Sequence, residues 1–202
     1  MAKPNWLNVS PASGSGNSTV SNSANVHTGR VARTGVVTVT GVGVSTPATY
    51  KVTQEPKAEF ASFNNGAEMA APKDGGALTI EGKSNSAKLT FAWVGDNGGV
   101  EIPAKYQANG VSTDNGAAIE GDPGANTEFA FNLSLDIPAN ETVEEKPRVL
   151  KVTANGGQSV QITVKQAAGD ATLSVSPTEI TIPQDGSAVS VDVTSNTSWA
   201  VS

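Results

Sequence analysis

The chain offers few residues able to make or break bonds, and their spacing limits them further. His27 is the only histidine. As a general base it would need a positioned serine and an acid, and no nucleophile motif accompanies it. It reads as a polar residue in a solvated turn. Glu144 and Glu145 could form an acid–base couple, but they lie in a proline-flanked loop and read as surface charge. In the 114–128 loop, Asp114, Asn115, Glu120 and Asp122 offer oxygen ligands of the kind Ca2+ takes. Their spacing matches no known calcium loop, and Asx and Gly residues make turns without metal. A weak Ca2+ site stays open there; no other metal or cofactor is expected, and no catalytic residue is assigned.

Sugar binding needs exposed aromatic faces with polar groups beside them. Five residues qualify by type: Trp6, Trp93, Trp199, Tyr50 and Tyr106. Trp93 continues the alternation of Leu89 and Phe91, which places it in a core. Trp6 and Trp199 are expected to pack where the two terminal segments meet. Tyr50 and Tyr106 remain as candidate glycan contacts.

The elements that must carry these residues are strands. The 202 residues are 37% hydrophobic and 16% charged, with 21 Gly and 11 Pro. No apolar pattern recurs at helical spacing, while alternation with period two is frequent, so the composition is all-β with many turns. Aromatics are only 5%, so the cores must be built mainly of Val, Ile and Leu. The net charge of −6, with scattered Lys and Arg, lacks the basic footprint that nucleic acid requires. Without cysteine there are neither disulfides nor thiolate metal sites. The opening MAKPNWLNVSPASG has no apolar core of signal-peptide length and no long apolar run follows, so the expectation is a protein that neither spans a membrane nor carries an export signal.

Taken in order, residues 1–56 show Trp6, Leu7 and Val9, a turn-rich SPASGSGN, a weak strand at Thr19–Ala24, and alternating strands at Val36–Thr40 and Thr49–Gln54. Residues 58–168 hold Phe60 and Phe63, Leu78/Ile80, Leu89/Phe91/Trp93, Ile102–Ala108, an expected loop from Asn109 to Asn126, Phe129–Leu135, Val149–Thr153 and Val160–Gln166. Residues 171–202 start afresh with Leu173, Val175, Ile180, Ile182, Val189, Val191, Val193 and Trp199.

Two internal repeats connect these segments. DGGALTIEGKSNS at Asp74–Ser86 returns as DGSAVSVDVTSNTS at Asp185–Ser198 with an offset of 111, which also lays Pro72 on Pro183. VTVTGVGVSTPATYKVTQ aligns with LKVTANGGQSVQITVKQ, Val39 falling on Val152, Val52 on Val164 and Gln54 on Gln166. Residues 1–56 therefore read as the back half of the unit that the middle segment contains whole, and 171–202 as its front half. Together the two ends would make one seven-stranded sandwich.

Read tail first, SNTSWAVS followed by NWLNVSPASGSGN and ANVHTGRVARTGVVTV resembles one BACON domain cut in two. Trp6–Asn17 is similar to the family's W-L-x-V-S-P-x-S-G-x-G-N, Ala24–Gly35 to its A-N-x-G-x-x-R-x-G, and Ser195–Trp199 to its SNTSW. The middle unit matches more loosely, with Lys88 where that Trp would stand. The resemblance implies Ig-like β-sandwiches and two settings: surface and carbohydrate-active proteins of gut Bacteroidota, where the module binds glycan or mucin, and virion proteins of crAss-like bacteriophages. The missing export signal tilts the expectation toward the virion.

The expected fold is thus all-β, with Ig-like BACON sandwiches: one complete central domain over 57–169, flanked by complementary half-domains 1–56 and 170–202. An incomplete sandwich leaves a bare inner face and unpaired strand edges. Eight apolar residues in 171–202 would gain on the order of 10–20 kcal/mol gross on burial, before the cost of ordering. The junction is expected to join Trp6, Leu7, Val9, Val37, Val39 and Val52 to Leu173, Val175, Val189, Val191, Val193 and Trp199. The connectors Gln54–Phe60 and Gln166–Leu173 are short for self-closure, so strand exchange between copies of the chain is favoured, head to tail. The expectation is a non-enzymatic capsid-decorating or head-fibre protein whose partners are its own copies and the major capsid or other virion proteins. The alternative is a carbohydrate-binding module.

Overall fold

The computed structural model describes residues 3–202, which are all strand, turn and loop, without helix. Residues 61–166 build both layers of one β-sandwich. The first layer contains β5 (Ala61–Phe63), β7 (Gly76–Ser84), β9 (Lys105–Ala108), β10 (Val111–Asp114) and β11 (Phe129–Ile137), in the order β10-β9-β11-β7-β5. The second contains β6 (Glu68–Ala71), β8 (Leu89–Val94), β12 (Lys146–Ala154) and β13 (Ser159–Gln166), in the order β6-β13-β12-β8. All neighbours are antiparallel except β6, which runs parallel to β13 with Val164 opposite Met69. This is an Ig-like arrangement, in which the first strand of the unit crosses from one sheet to the other.

Period-two alternation aims one side of each strand inward. On β11, Phe129, Phe131, Leu133, Leu135 and Ile137 are all buried, and they meet Leu150, Val152, Ile162 and Val164 from the facing sheet. Phe91 stands edge-on to both Phe131 and Tyr106, at centroid distances of 5.5 and 4.9 Å. The 109–126 segment, expected to be all loop, contains β10, whose Val111 pairs with Ala108. Its Asx and Gly residues make the turns at each end of the strand, and the positive φ of Asn109 and Gly110 forms the hairpin bend.

The N-terminal segment folds as two ribbons. β1 (Leu7–Ser10) pairs with β2 (Ser21–Ala24), and β3 (Arg33–Val39) with β4 (Ala48–Gln54). The β3–β4 register places Arg33 opposite Gln54 and Val39 opposite Ala48; the β12–β13 register places Lys146 opposite Gln166 and Val152 opposite Val160. Offsets of 113 on one strand and 112 on the other carry the first pair onto the second.

The C-terminal segment repeats the other side of the sandwich. β14 (Leu173–Ser176) pairs with β15 (Asp192–Ser195), Leu173 opposite Ser195, just as Ala61 of β5 lies opposite Ser84 of β7. The side chains that brace the pair recur too. Asn85 Oδ1 accepts from Phe60 N at 2.8 Å and its Nδ2 donates to Ala58 O at 3.0 Å; Asn196 Oδ1 accepts from Thr172 N and its Nδ2 donates to Asp170 O, both at 2.8 Å. Ser84 and Ser195 each donate to the matching carbonyl, of Phe60 at 2.6 Å and of Thr172 at 2.8 Å. Volume is redistributed across one pair: Phe63 faces Gly82 in the middle unit, whereas Val175 faces Val193 in the tail.

β15 is four residues long where β7 has nine. The difference has a physical cause. β11 pairs with every residue of β7 from Gly76 to Ser84, and among the described residues no strand plays that part for residues 187–191. The stretch 179–182, equivalent to β6, likewise lacks a strand to lie beside and is not extended into a sheet.

Candidate functional site

The two terminal segments attach at opposite ends of the sandwich. At one end, Arg30 reaches out of the loop after β2. Its guanidinium forms a fork with the Asp122 carboxylate and donates to the Asn85 carbonyl at 2.6 Å. Its Nε lies 2.6 Å from the Glu59 carboxylate, close but off-line for a hydrogen bond, so that contact is an ion pair alone. Glu59 is buried and also accepts from Ser86 Oγ at 3.1 Å and Gly156 N at 2.8 Å. Burial alone would raise the Asp122 pKa, but the Arg30 guanidinium and the Gly124 N–H together hold it below the usual carboxylate range.

At the other end, Asn196 donates to Glu141 O at 2.8 Å, and Lys73 pairs with Asp170. One backbone hydrogen bond appears at both ends: Lys57 N donates to Gly29 O at 2.8 Å, and Gly169 N to Thr142 O at 2.7 Å. The same offsets of 112 and 113 relate the two, so both segments are seated on the sandwich through equivalent backbone positions. β7 runs from one end to the other, and nine residues of strand span about 30 Å.

What distinguishes the ends from the middle is exposure at matched positions. Ile80 is fully buried and its counterpart Val191 is 37% exposed; Phe63 is 8% exposed and Val175 47%; Ala71 is 3% exposed and Ile182 63%. In the N-terminal segment Val152 is fully buried and its counterpart Val39 is 52% exposed. Leu173 and Val189 are exposed, Val193 half-buried against its β14 neighbour, and Val9 and Val52 half-buried. Trp199 is half exposed.

Leu7 and Val37, by contrast, are buried without any second chain. The two N-terminal ribbons close over them, tied by Tyr50 Oη to Asn22 at 2.9 Å and Gln54 Nε2 to Asn25 O at 2.7 Å. This corrects the expectation that all the junction residues wait for a partner. Pro4 packs so tightly on Gly35 that a Cβ there would meet its ring at 2.0 Å. Trp6 is capped by the Arg33 guanidinium, 4.7 Å from its ring centre. Beyond this small core the ribbons leave an open groove of about 480 Å³, with Val9, Val20, Val37, Val39 and Tyr50 on its walls and Ser13 and Ser18 at its rim. Tyr50 holds the place of Ile162, an inward position of the complete sandwich.

Other sequence-predicted residues are placed differently. Tyr106 is 3% exposed against Phe91 in the core, so it is no glycan contact; β9 turns Tyr106 and Ala108 inward together. The proposed Ca2+ ligands are dispersed: Asp122 is engaged by Arg30, Asp114 pairs with Lys105 at 2.6 Å, and Asn115 bonds the backbone of Phe91. Among the described residues no group of three or more His, Cys, Asp or Glu converges. His27 is half-buried, with Nε2 2.8 Å from the Val31 carbonyl oxygen, and serves as a loop staple. Arg30 and Glu59 escape sequence reading because a lone arginine in a loop and a lone glutamate before a strand carry no pattern.

Among known proteins, residues 1–55 match the BACON family model, described as "Putative binding domain, N-terminal". A solved structure of a Bacteroides ovatus GH5 xyloglucanase in complex with a XXXG heptasaccharide is similar at 14% identity and a TM-score of 0.33, over 55% of this chain and 19% of that one. The likeness thus spans about a fifth of the enzyme's length. No curated protein matches the chain. The N-terminal quarter of the chain is therefore BACON-like in sequence, and the whole is an all-β protein of Ig-like sandwich type.

Proposed function

We propose that this is a non-enzymatic structural protein, a short array of Ig-like sandwiches that joins its neighbours through open sheet faces. The observation supporting it is the contrast between Ile80, sealed in the middle unit, and Val191, exposed at the matched position of a strand pair with the same bracing. A face built to a core pattern and left bare is an interaction surface. The setting we favour is the surface of a phage particle, where the chain would decorate the capsid or root a fibre beside the major capsid protein. Light scattering of the full chain across a hundredfold concentration range tests the association. Oligomers that grow with concentration are expected, and a constant monomer mass overturns the reading.

A second reading, a carbohydrate- or mucin-binding module of a surface protein, draws on the groove in the BACON-like segment. Tyr50 forms part of its wall beside Ser13 and Ser18, an aromatic face with hydroxyls around it. A glycan array tests this directly: specific binding abolished by Tyr50→Ala would favour the module over the joint.

A further inference from the structure

We infer that the groove between the N-terminal ribbons is occupied by residues 179–191 of a second copy of this chain, in a register that the middle sandwich specifies. The inference rests on the structural reading above and deepens it by naming the partner and its alignment.

The middle sandwich contains front and back halves already joined. Its first strand crosses to the second sheet as β6 and lies parallel to β13, with Thr163 opposite Glu68, Val164 opposite Met69, Lys165 opposite Ala70 and Gln166 opposite Ala71. The offset of 112 maps β13 onto β4, supported by the identical β3–β4 and β12–β13 registers. The offset of 111 maps residues 68–72 onto 179–183, carrying Pro72 onto Pro183. The joint therefore sets Lys51 opposite Glu179, Val52 opposite Ile180, Thr53 opposite Thr181 and Gln54 opposite Ile182.

Each pairing is chemically sensible at its place. Lys51 and Glu179 are both exposed and oppositely charged, on the outward side that Thr163 and Glu68 occupy in the middle unit. Val52 and Ile180 fall where Val164 and Met69 pack into the core. Gln166 Nε2 donates to Pro138 O at 2.7 Å, and more weakly to Pro72 O and Lys73 O. Gln54 Nε2 already has the first of these in its bond to Asn25 O. The other two acceptors correspond to the carbonyls of Pro183 and Gln184, which the second copy brings. Val189 and Val191 then enter the groove beside Tyr50, as Leu78 and Ile80 enter the middle core.

One chain cannot supply both sides. Its N-terminal segment is bound near Glu59 and Asp122 and its C-terminal segment near Lys73 and Glu141, at opposite ends of β7. The joint is head to tail, so it propagates along a row of copies unless a ring closes.

The test uses the full chain, which contains no native cysteine, carrying Thr53→Cys and Thr181→Cys. Both positions are exposed, so the substitutions leave the fold alone. Neighbouring strands bring such pairs within disulfide reach. Mild oxidation is expected to give a ladder of covalent dimers, trimers and longer species, and an equimolar mixture of the two single variants a covalent dimer joining one of each. Oligomers in light scattering without a Thr53–Thr181 crosslink overturn the register while leaving the structural reading intact. Monomers by both measurements overturn both, and so does a crosslink confined within one chain. In a parallel arm, Lys51→Glu should weaken self-association about two- to fivefold and Glu179→Lys on the same chain should restore it; failure of that rescue counts against the register.

Discussion

The Arg30 guanidinium and the Glu59 carboxylate, 2.6 Å apart, belong to different segments of the chain and tie them together as an ion pair. Glu59 is buried, and Arg30 adds Asp122 and the Asn85 carbonyl to the same cluster. Arg30→Ala removes the cation paired with a buried carboxylate, which typically costs about 3 kcal/mol. The expected result in urea unfolding is a first transition, at lower denaturant, for the N-terminal ribbons. The middle sandwich should follow as a separate step.

Acid should release the same junction. The Asp122 carboxyl titrates below the usual range because the Arg30 guanidinium and the Gly124 N–H outweigh the burial that opposes them. A depressed acid contributes its stability above its unfolded pKa, about 3.9 for Asp, and loses it as pH falls through the lower folded value. Hydrogen exchange should therefore show the 29–30 and 57–59 amides losing protection below about pH 4. Asp122→Asn should move that loss to neutral pH.

Alkali acts on the core instead. Burial pushes the Tyr106 hydroxyl up to about 12, and the hydroxyl has no hydrogen-bond partner among the described residues. Because the folded pKa lies above the unfolded one of about 10, this group's contribution is complete below pH 10 and is lost as pH rises toward 12. Tyr106→Phe should remove that slope in alkaline melts. At neutral pH it should match or exceed the native stability by about 1 kcal/mol, since a buried unpartnered hydroxyl is deleted.

Asn85 and Asn196 offer a paired experiment. Asn85 is buried and adds a bond to Ala125 O at 2.8 Å, so Asn85→Ala should cost the middle sandwich about 2–4 kcal/mol. Asn196→Ala should leave the main unfolding transition within about 0.5 kcal/mol, while the amides of 172–176 lose their exchange protection.

How far the sequence discloses this architecture depends on the kind of signal. The repeats show directly in the letters, and the registers of β3–β4 and β14–β15 follow them, because side-chain alternation and pairing obey the same period of two. Strand β10 hides among Asx and Gly residues whose composition says turn. β6 hides because Glu68–Ala71 is short and pairs only with a strand nearly a hundred residues later. Tyr106 was misplaced for a simpler reason: alternation with Ala108 says that the two share a face, not which face is buried. The Leu7–Val37 core was invisible because two ribbons, each too narrow to be stable by itself, close on one another through contacts that no pattern within either one records.

The parallel seam between β6 and β13 has a further consequence. The strand through which the chain enters the sandwich lies beside the one through which it leaves, both pointing the same way. Tension drawn through the chain across this sandwich therefore tries to slide these strands past each other, and their backbone hydrogen bonds must break together instead of one after another. The time such a module survives under load is set by its unfolding rate. Strand adhesion in shear resists such a load without a covalent crosslink, and the unit would stretch at its loops before its seam gave way.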